Sequence, residues 1–125
     1  MTKLRVVIAD DFPPFLDTLR SLLSAQFDIV AAAGCGKCAL EAIRRHKPDV
    51  AVLDLSMPGL TGMRVVQELA ADSHRPRIVI CSMESDPDVI EAARQAGAAA
   101  YVVKSCLEKE LIPALNSTVQ SQVAV

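Results

Sequence analysis

"DVAVLDLSMPGLTG", residues 49–62, changes character at its midpoint. Residues 49–54 hold a nearly continuous apolar, β-branched run, which reads as a strand covered on both faces. Asp54 ends it. Pro58 and Gly59 then supply a tight turn, and Thr61 can cap a following helix. Strand, turn and helix follow in order, with one carboxylate left exposed at the strand tip.

The same grammar recurs along the chain. "LRVVIA" (4–9), "DIVAAA" (28–33), "RIVICS" (77–82) and "AAYVVK" (99–104) read as further strands of the same buried kind. Helical periods lie between them. Phe15, Leu19 and Leu22 share one face with Leu16 and Leu23 beside them; Val66, Leu69 and Ala70, then Val89, Ala93 and Ala96, then Leu107, Leu111 and Leu115 repeat the pattern. Asp86 is placed as an N-cap with Pro87 at the first helical position, and Gly97 marks a helix end. Pro113 falls inside the last helical pattern, so a late helix start or a kink is expected there. Five strands alternating with helices predict an α/β fold with a doubly wound parallel sheet, whose ligand site lies beyond the carboxyl ends of the strands.

Five polar residues stand at those ends. Asp10 and Asp11 follow the first strand, Asp54 ends the third, Ser82 the fourth and Lys104 the fifth. Any one of these acids alone reads as an ordinary cap or turn residue. Together they lack a common structural explanation. Three carboxylates at close range repel each other and call for a cation, and oxygen-only ligands suit a hard ion such as Mg²⁺. A hydroxyl and an ammonium beside them suit the oxygens of a phosphoryl group. A carboxylate can itself attack phosphorus, giving an acyl phosphate.

Composition removes several alternatives. The chain has 125 residues, enough for one domain with one core. Aromatic residues make up 3% with no Trp, which argues against base-stacking surfaces. The formal net charge of −2 argues against a DNA footprint. Apolar runs are too short and too interrupted for a signal peptide or a membrane span, so a cytoplasmic, reducing setting without membrane contact is expected.

The segments "ADD" (9–11), "LDLSMPGLTG" (53–62), "VICSM" (79–83) and "GAAAYVVKS" (97–105) resemble the receiver domain of bacterial two-component response regulators. The resemblance covers nearly the whole chain. It implies a flavodoxin-like (βα)5 fold with strand order 2-1-3-4-5. It implies that Asp54 accepts a phosphoryl group from a sensor histidine kinase. Asp11, Asp54 and the backbone carbonyl of Ser56 would ligate Mg²⁺, with Asp10 acting through water. Ser82 and Lys104 would bind phosphoryl oxygens, and Tyr101 would be the switch residue that follows Ser82 inward. Such a chain is a phosphoacceptor with self-catalysed phosphorylation and dephosphorylation, not a turnover enzyme. Ser105, where many receivers have Pro, and Met83, where a small residue is common, are similar to the branch joined to a LuxR/NarL-type helix-turn-helix; Phe12, where that branch often has His, departs from it. Residues 1–118 would then form the receiver, and the uncharged 119–125 a tail or the start of a linker to an output domain. DNA would be bound only through that appended domain, and a homodimer is a further expected partner state.

"GCGKC" (34–38) raises a rival reading. Cys35 and Cys38 form a C-x-x-C pair between a strand and a helix, the context of a redox motif. The bland reading makes Cys35 a cap or loop residue and Cys38 a small helix residue, needed for no chemistry. Zinc would require further ligands, and Cys81, Cys106, His46 and His74 belong to other segments. An aspartyl-nucleophile phosphatase would want D-x-D where "ADDF" has adjacent acids. A pseudo-receiver that binds partners without phosphorylation remains the other alternative, although the acids, hydroxyl and lysine are all in place.

Overall fold

The computed structural model describes residues 3–123, with side chains through Thr118. Eleven elements follow in order: β1 (Leu4–Ala9), α1 (Pro13–Leu23), β2 (Phe27–Ala33), α2 (Gly36–His46), β3 (Val50–Leu53), α3 (Gly62–Leu69), β4 (Arg77–Ser82), α4 (Pro87–Ala96), β5 (Ala100–Val103), a 3-10 turn (Lys104–Cys106) and α5 (Leu107–Val123). All strand pairs are parallel, and the sheet order is β2-β1-β3-β4-β5. This is the flavodoxin-like arrangement expected from the sequence, with its switch point between β1 and β3.

Each strand feeds two cores because successive side chains point to opposite faces. Val7, Ala9, Ala51 and Leu53 pack under α2, α3 and α4, through Ala39, Leu40, Ile43, Val65, Val66, Leu69 and Ala93. Val6, Ile8, Val50 and Val52 pack under α1 and α5, through Leu19, Leu23, Leu107, Leu111 and Leu115. Runs that looked unbroken in sequence are therefore two interleaved faces, each packed beneath helices.

The caps hold as read. Asp86 accepts from the Asp88 N–H with Pro87 in the first turn, Thr61 accepts from the Arg64 N–H, and Gly97 closes α4 at a φ of 126°. Two expectations fail. Ala70 is the exposed C-cap of α3 rather than part of its apolar face. The late start expected at Pro113 does not occur, since α5 starts at Leu107 and continues past it. Leu107, Leu111 and Leu115 anchor the helix on both sides, while Pro113 and the Lys109 backbone that loses its donor are exposed to water. The helix also continues through Val123, into the stretch read as a tail; residues 124–125 lie outside the described residues. Among the described residues no helix is long and apolar enough to cross a membrane.

Candidate functional site

The register of the three central strands brings the acids together. Ala9 pairs with Leu53 across β1 and β3, so the residues that follow them, Asp10 and Asp54, emerge side by side. The Asp54 N–H bonds to the Ala9 carbonyl at 3.0 Å and fixes that alignment. Asp10 and Asp54 are buried, at 1% and 6% exposure, whereas Asp11 is exposed. One carboxylate oxygen from each of Asp10, Asp11 and Asp54 lies within 4.8 Å of the other two.

Lys104 reaches this cluster from the end of β5. Its Nζ donates to Asp10 Oδ2 at 2.7 Å and stands 3.7 Å from Asp54 Oδ2. The ammonium also lies 4.2 Å from the centroid of the Phe15 ring, a cation–π contact that lines its approach. Burial alone would lower the Lys104 ammonium. The hydrogen bond to Asp10 and the charges of Asp54 and Asp10 outweigh it and hold the group above its ordinary value. Asp54 shows the opposite balance. Burial pushes its carboxyl above the usual carboxylate range, and Asp10 and Asp11 push the same way, against Lys104 and the Ser56 N–H.

Ser82 ends β4 beside Val103 on the same sheet edge. Its Oγ accepts the Glu84 N–H at 3.1 Å, and the Tyr101 hydroxyl donates to the Glu84 carbonyl at 2.7 Å. Residue 84 thus links the edge hydroxyl to the phenol. Ser56 sits exposed in the loop after Asp54, and its backbone N–H favours the charged form of the Asp54 carboxyl. The loop closes tightly: the Gly62 N–H bonds to the Leu55 carbonyl at 2.9 Å, and a Cβ at Gly62 would overlap the Asp54 carbonyl.

The donor set fits Mg²⁺. It is carboxylate oxygen throughout, with neither nitrogen nor sulfur in the group, as a small hard cation requires. All five strand-end residues found in the sequence, with Ser56, stand at this edge, and Tyr101, within β5, reaches toward it through its bond to the Glu84 carbonyl. Phe15 and Gly62 escaped notice as site residues. Phe15 reads in sequence only as a helix-face residue, and Gly62 only as the end of a turn. Cys35 and Cys38 stand at the start of α2 and correct the bland reading in one respect: Cys35 is the N-cap and Cys38 lies in the first turn, but their sulfurs are joined as a disulfide.

The response regulator receiver domain family matches residues 6–116. The chain is 36% identical over 115 residues to the transcriptional regulatory protein NarL of Mycobacterium tuberculosis, covering 90% of this chain and 53% of that protein. It is 30% identical over 115 residues to the chemotaxis protein CheY of Bacillus subtilis, covering 91% of this chain and 96% of CheY. The solved signal receiver domain of NarL from Mycobacterium tuberculosis superposes with a TM-score of 0.91 at 33% identity, covering 96% of this chain and 98% of that one. The chain thus spans about half the length of NarL and nearly all of CheY.

Proposed function

The chain belongs to the response regulator receiver domain family, and on that premise we propose that Asp54 accepts a phosphoryl group from a phosphohistidine of a sensor histidine kinase. The observation that carries this reading is the set of three carboxylates within 4.8 Å, with Lys104 bonded to one and close to another. An Asp54 oxygen attacks phosphorus, the P–N bond to the histidine breaks, and an acyl phosphate forms. Asp10, Asp11, Asp54 and the Ser56 carbonyl would hold Mg²⁺, which supplies neutralising charge to the phosphoryl oxygens.

The chain's own residues do the rest. Burial deprives the Asp54 carboxylate of water and opposes its charge, and the positive charge of Lys104 beside it works the other way, favouring the ionised, attacking form. The Ser56 N–H favours the charged form of that carboxylate. Lys104 is held by Asp10 and sits 3.7 Å from Asp54, within reach of a phosphoryl oxygen on it. Ser82 offers a hydroxyl donor from β4 once it turns from the Glu84 N–H. That turn would disturb the Glu84–Tyr101 link and carry the phosphorylation state to the surface of α4 and β5. The product stays on the chain, so the output is a changed surface and not a released metabolite.

The full protein would act in the cytoplasm. The resemblance to a transcriptional regulator about twice as long supports control of transcription through an appended DNA-binding domain, with dimerisation or domain release as the readout. Incubation with acetyl phosphate and Mg²⁺ is expected to add one phosphoryl group to the wild-type chain and none to Asp54→Ala, as read by intact mass. Equal labelling of the two would overturn the assignment.

A further inference from the structure

The start of α2 holds two cysteines where a receiver's phosphoryl chemistry needs none. Cys35 and Cys38 are three residues apart, with Cα atoms 5.1 Å apart and their sulfurs joined. That separation is within ordinary disulfide reach. Cys38 is exposed and Cys35 half-buried, so dissolved reagents can reach the pair. The other described cysteines offer no such chemistry as a pair: Cys81 is buried, its thiol pushed up to about 12 by that burial, and Cys106 stands alone after β5. Nor is the pair part of a metal centre, since among the described residues the metal-competent group of three or more is the Asp10, Asp11 and Asp54 cluster.

We propose that Cys35–Cys38 is a reversible thiol–disulfide exchange site that senses dithiol-to-disulfide poise and transmits it to the loop carrying Ser56. The transmission is steric. Gly36 lies between the cysteines and is seated on Leu60 so closely that a Cβ there would overlap the Leu60 carbonyl. Leu60 belongs to the 54–62 loop. A disulfide ties the N-cap to the third residue of the helix and pins that turn against the loop. Reduction removes that covalent tie and leaves the turn held by hydrogen bonds, the Ala39 N–H to the Cys35 carbonyl and the Cys38 N–H to the Cys35 sulfur.

The geometry also assigns the roles. In the disulfide form Cys35 Sγ accepts the Cys38 N–H at 3.1 Å at the positive end of α2, and the same N–H and helix end would face a Cys35 thiolate in the reduced pair. The Cys35 thiolate attacks a sulfur of a small-molecule disulfide such as oxidised glutathione. The reagent's S–S bond breaks and one glutathione thiolate leaves, taking the proton that Cys35 lost. Cys38, deprotonated in turn, attacks Cys35 Sγ in the mixed disulfide, and the second glutathione leaves as thiol. Two protein thiols are oxidised and one reagent disulfide is reduced to two thiols. In a reducing compartment such a bond serves as a signal and not as a brace.

The test uses the whole chain and does not depend on phosphorylation. The protein is equilibrated in reduced and oxidised glutathione mixtures, quenched in acid, alkylated and mapped by mass. Cys35 and Cys38 should interconvert between two free thiols and one disulfide, while Cys81 stays alkylatable after unfolding throughout. Cys38→Ser should accumulate a mixed disulfide on Cys35. Cys35→Ser should form one on Cys38 about tenfold more slowly. Amide exchange over residues 36–40 and 58–62 should be about tenfold faster in the dithiol form. A pair that stays reduced in excess oxidised glutathione, equal trapping by the two single variants, or loop exchange indifferent to redox state would each overturn the proposal.

Discussion

Asp54 carries its charge where the fold opposes it. Burial raises its carboxyl above the usual range, and the neighbouring Asp10 and Asp11 add to that effect. An acid raised in the folded state binds more protons there than in the unfolded chain. Stability is therefore lost as pH rises from the ordinary carboxylate range, about 4, through the raised value, and the loss persists at neutrality. Asp54→Asn should then raise the urea midpoint of the metal-free chain at pH 7, and its advantage over wild type should shrink as pH falls toward about 4. A variant less stable than wild type at pH 7 would show that the Asp54 carboxylate stabilises the fold. Lys104 is fixed differently, because its hydrogen bond to the nearly inaccessible Asp10 makes it part of the fold as well as the site. Phe15 serves both roles too, packing with α1 on the sheet and presenting its ring to the ammonium. Its spacing in the sequence gives only the first of these.

At the scale of elements, the 54–62 loop determines how Asp54 is presented. Gly62 starts α3 against the Asp54 carbonyl, with space for no side chain. Gly62→Ala should cost about 2 kcal/mol in urea unfolding through overpacking and should slow acetyl phosphate labelling. A variant with wild-type stability and rate would show that the loop yields freely. The elements themselves were legible in the sequence wherever the signal was local. Apolar runs marked β1 and β4 to the residue, and Asp86, Thr61 and Gly97 capped as their chemistry requires. Long-range determinants left no such trace. Lys47 closes α2 at a φ of 48°, a conformation that favours glycine, with nothing in its identity to announce it. It is held from afar: the Arg5 guanidinium bonds to the Lys47 carbonyl at 3.1 Å, and Arg5 N–H to the Asp49 carboxylate at 2.8 Å. Pro113 misled for the same reason, since the leucines that keep α5 whole act through the core beneath it. The disulfide likewise depends on backbone placement at the α2 N-cap, which spacing alone leaves open.

The whole molecule is a two-faced sheet that gathers its acid cluster, Ser82 and Lys104 at one edge. Five parallel strands in the order β2-β1-β3-β4-β5 put β1 and β3 side by side, so Asp10, Asp11 and Asp54 form one cluster at the strand ends, with Lys104 bonded to it and Ser82 at the end of β4. The strand-end logic was readable in sequence because each acid, hydroxyl or lysine follows an apolar run. The distances among them depend on the register and were not. Beyond that edge the surface is mixed and the net charge of −2 gives no attraction for phosphate backbones. This chain alone should leave the electrophoretic mobility of DNA unchanged even at low salt. Sequence-specific retardation would show that the receiver itself reads DNA.

The central claim is chemical, that the phosphoryl group resides on one aspartate as an acyl phosphate. After treatment with acetyl phosphate and Mg²⁺, borohydride reduces an aspartyl phosphate to homoserine, which leaves a permanent mark at the site. Peptide mass mapping of the reduced chain should find homoserine at position 54 and aspartate at positions 10 and 11. Homoserine at either of those positions, or a phosphoryl group that survives borohydride on Ser82 or another hydroxyl, would contradict the account.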